Sequence, residues 1–278
     1  AQRVTRLIHC MAIQYPKIHL MDSYLTLRDE RGRVVAENDN FVGGDAMLRC
    51  RLPSSGDYFL EVRDSRYAGD PRYVYCVEIT EGPLAMATFP VAVQRGHSTS
   101  VEVVETHSIN VPRVPGRERR QITWNVAADA VAGWRRVRIQ GADSRPGPVV
   151  PQLISPHPQR AADGRNLTVA LAMPLELPVG ISGRFQRPGQ THFYRFQAKK
   201  QDVVKIDVQS QRRGLAVDGV VLVMDAKGKI LATADDGSFT KDAGLSFRAP
   251  ADGEYVIGVR DLNRRAGDRF IYHMSVEP

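Results

Sequence analysis

Three observations predict an all-β chain of tandem sandwich domains. Apolar residues fall on every second position in stretch after stretch, Gly, Pro and Asp clusters separate those stretches, and one long segment occurs twice. The segment from Asp22 to Ile79 returns as Asp218 to Val276. Asp22 answers to Asp218, Asp29 to Asp225, Gly32 to Gly228, Asp39 to Asp235 and Asp45 to Asp242. Pro53 answers to Pro250, Gly56 to Gly253 and Tyr58 to Tyr255, and Val62-Arg63-Asp64 recurs as Val259-Arg260-Asp261. One supersecondary design has been used twice.

Taken in order, Arg3 to Cys10 matches the strand at 202–209 of the second copy. The strand before that one, Thr191 to Phe196, has no counterpart in the first copy. The first domain is therefore expected to begin within itself, and an open sheet edge invites a strand from another segment or chain. The opening Ala1-Gln2-Arg3 lacks a secretory leader pattern, as a mature or excised fragment would. Asp29-Glu30-Arg31-Gly32 and Asp225-Ala226-Lys227-Gly228 read as hairpin turns. Ala46, Leu48, Cys50 and Leu52, then Tyr58, Leu60 and Val62, keep the period of half-buried strands, as do Ala243, Leu245, Phe247 and Tyr255, Ile257, Val259. Between them, Pro53 to Asp57 and Pro250 to Glu254 join a proline with fixed φ to a glycine free to take positive φ, which closes a turn.

The runs DSYLTLRDERGRVVAENDN, DAMLRCRLPSSGDYFLEVRD and RYVYCVEI resemble the bacterial pre-peptidase C-terminal domain, a small β-sandwich of secreted proteases and cell-surface proteins. DGVVLVMDAKGKILATADDG, AGLSFRAPADGEYVIGVRD and RFIYHMSV of the second copy resemble it equally. The resemblance implies jelly-roll-like sandwiches and association with secreted hydrolases, not hydrolysis by the domain itself. It also implies calcium held by an acidic segment before the first strand, but that place in the second copy reads ISPHPQRAADGRN, which lacks the acidic residues.

Thr80 to about Ser155 does not match the repeat. Alternation at 98–104, 121–126 and 133–139 predicts a further sandwich, and FPVAVQRGHSTSVEV is similar to the opening of bacterial immunoglobulin-like domains of the transcription-factor type. The prolines at 146, 148, 151, 156 and 158 predict a linker from Arg145 to about Arg165, after which Leu167–Leu177 and Val179–Phe185 supply strands. The predicted domains are thus 1–80, pre-peptidase C-terminal-like without its first strand; 81–155, immunoglobulin-like; and 156–278, a linker and a complete second copy.

The 278 residues suffice for two or three cores, and no apolar run is long enough for a membrane helix. Catalytic signatures are missing: there is no Gly-x-Ser-x-Gly, no His-Glu-x-x-His and no phosphate-cradling glycine loop, and the histidines are scattered singly. A non-enzyme is expected. Oxygen donors cluster at Asp39 with Asp45 and at Asp235 and Asp236 with Asp242, the chemistry that calcium takes, although the same residues cap turns through their own backbone, and the spacing is not that of an EF-hand. Calcium is the one cofactor these residues suggest.

The net charge is +7, and Arg117, Arg119, Arg120, Arg135, Arg136 and Arg138 crowd the middle segment. Such a patch suits an anionic polymer or surface, or is simply solvated; nucleic acid fits less well, because only Trp124 and Trp134 are nearby as stacking platforms. Cys10, Cys50 and Cys76 have no cysteine counterparts in the second copy, so the fold does not depend on disulfides, and alternation sets Cys50 and Cys76 on faces that do not meet. Asn166-Leu167-Thr168 is a glycosylation sequon, and Arg63-Asp64 and Arg260-Asp261, with Arg72 and Arg269, suggest ion pairs bracing equivalent loops. The sequence points to a non-catalytic segment of a secreted or cell-surface bacterial protein that binds an extracellular polymer or another surface protein. A structural spacer or assembly protein, self-associating through the open edge, and the accessory region of a secreted protease are the alternatives.

Overall fold

The computed structural model describes residues 5–12, 21–39, 46–81, 85–105, 120–140, 146–237 and 240–278. The chain is all-β and divides into two compact units. The first holds β1 (Thr5–Ala12), β2 (Ser23–Asp29), β3 (Val34–Asn38), β4 (Met47–Arg51), β5 (Tyr58–Asp64) and β6 (Tyr75–Glu81), in two sheets ordered β4-β1-β6 and β3-β2-β5. Their apolar faces meet in a core of Leu25, Leu27, Ala46, Leu48 and Cys50, with Leu60, Val62 and Val77 packed on it.

The second unit begins with β7 (Ala85–Phe89), β8 (Ala92–Gln94), β9 (Ser98–Glu105), β10 (Gln121–Asn125), β11 (Gly133–Gln140) and β12 (Pro146–Ser155). These form two three-stranded sheets, β10-β9-β7 and β11-β12-β8, closed over Ala85, Val103, Ile139 and Val150. The run expected as a linker is thus largely strand β12. The prolines misled because β12 pairs with β11 alone until β8 joins its other side from Leu153; Pro151 lies two residues before Leu153, whose N–H turns to Val91 O, so the N–H that this proline lacks would face the open side.

The unit continues with β13 (Gln159–Ala161), β14 (Met173–Pro174), β15 (Val179–Arg184), β16 (Thr191–Ala198), β17 (Val203–Gln209), β18 (Gly219–Asp225), β19 (Ile230–Ala234), β20 (Gly244–Arg248), β21 (Gly253–Asp261) and β22 (Ile271–Glu277). The expected strand over Leu167–Leu177 is instead a 3₁₀ turn at Val169–Leu171, capped by the Thr168 hydroxyl, followed by the two-residue β14. Two five-stranded sheets, β13-β15-β22-β17-β20 and β14-β16-β21-β18-β19, enclose the main core, with Ile181, Ile206 and Met274 from one sheet facing Phe196, Val223 and Ile257 from the other. A fully buried side chain of this kind contributes about 1.5–3 kcal/mol.

The strand order of the first unit recurs inside these larger sheets. β17, flanked by β20 and β22, repeats β1 between β4 and β6, while β18 between β19 and β21 repeats β2 between β3 and β5. Among the described residues, the edges of β6 and β5 that answer to the β15 and β16 positions carry no partner strand.

The identities shared by the two copies are turn locks. Asp64 accepts from the backbone N–H of Asp22 (2.9 Å), Arg66 (3.0 Å) and Ala68 (3.2 Å); Asp261 accepts from Asp218 (3.0 Å), Asn263 (3.1 Å) and Arg265 (2.9 Å). The Tyr58 hydroxyl donates to Ser54 O at 2.9 Å and that of Tyr255 to Ala251 O at 2.7 Å. Asp29 takes the N–H groups of Arg31 and Arg33, and Asp225 those of Lys227 and Lys229. Asp64 meets Arg66 at 3.8 Å, Asp261 meets Arg265 at 3.2 Å, and Arg72 meets Asp70 at 2.7 Å.

Candidate functional site

Within the second unit, the β7–β12 sandwich is fastened to the outer face of the sheet that contains β15 and β22. Alternation along β22 sends Tyr272, Met274 and Val276 into the main core and Ile271, His273, Ser275 and Glu277 to the other face. Ile271 and Leu215 pack there against Ala87, Val91 and Val104. Beside this apolar contact the Arg184 guanidinium grips Glu102 with two bonds, 2.8 and 3.2 Å, and lies 4.6 Å from the Phe89 ring. The Val91 N–H donates to the Ser182 hydroxyl at 3.2 Å. Both members of the ion pair are nearly enclosed, with side chains 7% and 13% exposed, so the two sandwiches hold one another through a desolvated charge pair.

Where the contact ends, a cleft of about 340 Å³ opens between the start of β11, the end of β12, β15 and β22. Gly133, at φ 133, turns the chain into β11 in a conformation that favours glycine, and Trp134 follows as one wall. His273 meets that indole edge to face, ring centroids 6.1 Å apart. The His273 Nε2–H donates to Gln159 Oε1 at 3.0 Å, which leaves Nδ1 as the unprotonated acceptor. Nδ1 and the Trp134 indole N–H are both buried, with no partner among the described residues. Burial pushes the His273 imidazole down to about 4, so it is neutral at pH 7. Gly180 sits beneath: a Cβ there would overlap the Gln159 amide and lie 2.6 Å from His273 Nε2, so only glycine leaves space for this pair.

The Arg213 guanidinium lies 5.0 Å from the Trp134 ring and donates to Gln209 Oε1 at 3.1 Å. Ser275 and Glu277 line the cleft beyond His273, and Ser155 and His157 line it from β12. Sequence reasoning missed this site, because its residues come from strands far apart in the chain. The available signal was small: His273 replaces Cys76 of the first copy, and the ladder registers set Gln209 where Met11 stands, one residue on from the Cys10 that the sequence alignment matched to it.

The residues singled out from the sequence lie elsewhere. Arg117, Arg119 and Asp45 fall outside the described residues. Arg136 and Arg138 are exposed on the β11 face that carries Trp134; Arg135, donating to Val131 O at 2.8 Å, points to the opposite face, and Arg120 precedes β10 in the other sheet. Asp39, Asp235 and Asp236 are exposed. Asp242 is buried, its carboxylate taken by the N–H groups of Ser210 (3.0 Å), Gln211 (2.7 Å) and Arg212 (3.1 Å) and by Arg212 Nε at 3.2 Å. Burial raises the Asp242 carboxyl against the pull of those donors. Among the described residues no three His, Cys, Asp or Glu side chains converge on one point. Cys50 is buried and Cys76 exposed, and both thiols are free. Asn166 of the sequon is 1% exposed and its amide donates to Phe193 O at 3.1 Å, so the folded chain does not present it for modification. Among the described residues no helix is long and apolar enough to cross a membrane.

No family model matches the chain. A probable subtilase-type serine protease of Deinococcus radiodurans is 34% identical over 80 residues, which are 28% of this chain and 11% of that protein. Among solved structures, the pre-peptidase C-terminal domain of a Bacillus anthracis collagenase aligns with a TM-score of 0.31 and 16% identity, covering 44% of this chain and 98% of the domain. PliG, a periplasmic inhibitor of g-type lysozyme from Aeromonas hydrophila, aligns with a TM-score of 0.31 and 15% identity, covering 43% of this chain and 97% of its own.

Proposed function

We propose that this chain is the non-catalytic, polymer-retaining part of a secreted or cell-surface bacterial protein, with the accessory region of a subtilase-type protease as the favoured parent. In this reading the domains are 1–80, 81–155 and 156–278, two pre-peptidase C-terminal-like sandwiches about an immunoglobulin-like one. The observation that carries it is the cleft itself. Two sandwiches locked by a buried ion pair hold an indole, an imidazole and an amide at fixed positions, as a binding site requires. The one imidazole inside it with a described partner is bonded to an amide oxygen and not to a carboxylate, so the nucleophile–base–carboxylate relay of a hydrolase is not what the site is built for. The partial likeness to a protease supports the parentage, and the exposed Asp39, Asp235 and Asp236 and the β11 arginines are the candidates for calcium and for an acidic polymer.

Co-sedimentation with insoluble collagen, chitin, cellulose and an acidic polysaccharide, at low and high salt and with calcium or chelator, tests this. Salt-resistant retention on one polymer is the expected result; retention on the acidic polymer alone that vanishes at high salt would move the binding to the arginines. Retention on none of the four sinks the reading. A second reading, assembly by strand addition at β5 and β6, is favoured by the exposure of Phe59, Tyr75 and Ile79 on those strands. Concentration-dependent growth of the particle in light scattering would favour it.

A further inference from the structure

We propose that the cleft between β11 and β22 is a subsite for one or two rings of a neutral polysaccharide, which bind against Trp134 and exchange hydroxyl hydrogen bonds with His273, Ser275 and Glu277. This rests on the polymer-retention reading and names the chemistry of the polymer. The volume of about 340 Å³ lies at the small end of ligand sites, which run from roughly 300 to 1,000 Å³, and suits a sugar ring better than a folded peptide.

The orphan atoms select the functional group. Buried polar atoms are nearly always satisfied, and a pair left over at one place calls for a partner. Here the pair is one donor, Trp134 Nε1–H, and one acceptor, His273 Nδ1, on two rings in edge contact. A hydroxyl donates and accepts at a single oxygen and is the complement of such a pair, whereas a peptide group carries its N–H and C=O on different atoms pointing apart. Both atoms are buried, so the Trp134 and His273 rings must move aside as the hydroxyl enters.

Charge selects neutrality. The lining residues include Glu277 and no Lys or Arg, and the adjacent Arg213 is engaged with the Trp134 ring and Gln209. Among the lining side chains an anionic polymer would meet the Glu277 carboxylate, while the Lys205 that stands opposite Glu277 in the β17–β22 ladder lies outside the lining. A carboxylate that accepts from neighbouring hydroxyls of one sugar suffers no such penalty.

The chain has two tryptophans, so Trp124→Phe leaves Trp134 as the single indole emitter. The full chain carrying this substitution would be titrated with cellohexaose, maltohexaose, N-acetylchitohexaose, hexagalacturonate and gelatin peptides while its emission is followed. The expected result is a saturable shift with a neutral hexasaccharide, insensitive to salt. Adding Ser275→Phe, which fills the cleft and removes one of its hydroxyls while keeping Trp134 and His273, should abolish the shift, and adding Arg136→Ala should leave it unchanged. Thermal melts of each variant separate a lost site from a lost fold, and Gln159→Leu, which frees the His273 ring, is the second variant should Ser275→Phe not fold. A response to hexagalacturonate or gelatin peptides alone, no response to any neutral sugar, or a neutral-sugar response that survives both cleft variants would overturn the assignment. Polymer retention persisting alongside any of these would show that the cleft assignment fails while the retention reading stands; loss of both would sink the two together.

Discussion

Tyr75 and Tyr272 occupy the same place in the repeat, yet Tyr75 is 46% exposed and Tyr272 is fully buried. The same holds one strand away, where Phe59 is 61% exposed and its counterpart Val256 is 1% exposed. The local sequence does not explain this, since the turns around these strands are held by the same carboxylates and tyrosines in both copies. The difference comes from what lies beside the repeat. In the second unit β15 pairs with β22 and β16 with β21, and Phe185 and His192, which flank and begin them, close over Tyr272. Tyr194 of β16 meets it at 2.6 Å, hydroxyl to hydroxyl. Val256 is covered by Ala172, just after the 3₁₀ turn. A repeat unit can thus form its own turns and ladders, while the depth of its core depends on strands from outside the repeat.

The largest expected effect comes from truncating the paired tyrosines. Tyr272→Ala removes a fully buried aromatic and should cost about 3–5 kcal/mol, whereas Tyr75→Ala, on an exposed position, should stay within about 1 kcal/mol. Hydrogen exchange resolved by segment reads the two units separately, and equal losses would break the comparison.

Next come the carboxylates. Asp64→Ala and Asp261→Ala each leave three backbone N–H groups without their acceptor, and each should destabilise its own unit by about 2–4 kcal/mol in denaturant melts. Unequal losses would mean that the two turn locks are not equivalent.

Acid should separate the units in a different way. Burial holds His192 and His273 at about 4, against 6.5 for the free side chain. The unfolded chain therefore binds protons that the folded chain refuses, and the stability of the second unit, complete above pH 6.5, should fall as the pH drops from 6.5 toward 4. The first unit has Cys76 in place of His273. Burial raises its Asp64 carboxyl, but the Asp22, Ala68 and Arg66 N–H groups outweigh that and hold it below 3.8, so the Asp64 contribution is lost only in stronger acid. Pulse proteolysis across this pH range, with fragments assigned to each unit, would show whether the second opens first. The smallest expected effect is that of Tyr58→Phe and Tyr255→Phe, each worth about 1 kcal/mol for one hydroxyl bond, measured as a shift in melting midpoint.

Much of the fold was legible because period-two alternation and turn residues are local signals. β9, β10 and β11 stand where alternation put them, and the Asp-x-x-Gly turns close as hairpins. What failed was also local in its logic. Proline density reads as a linker from Arg145 to about Arg165, although 146–155 is strand β12, and Leu167–Leu177 carries Leu, Val, Leu, Met, Leu and Leu on every second position yet folds as a 3₁₀ turn and the two-residue β14. The arginines that looked like one patch are divided between faces because neighbouring residues of a strand point opposite ways, as Arg135 and Arg136 do.

By itself, then, the sequence determined the all-β class, the twofold use of one strand-and-turn design and the residues that lock its turns, since each of these is decided by neighbours a few positions apart. Only the tertiary structure decided which copy has a deep core, which carboxylates are already filled by backbone donors, and that Trp134, Gln159 and His273 share a cleft. Those outcomes depend on strands that pair and pack across long stretches of chain, and such contacts leave no spacing to read.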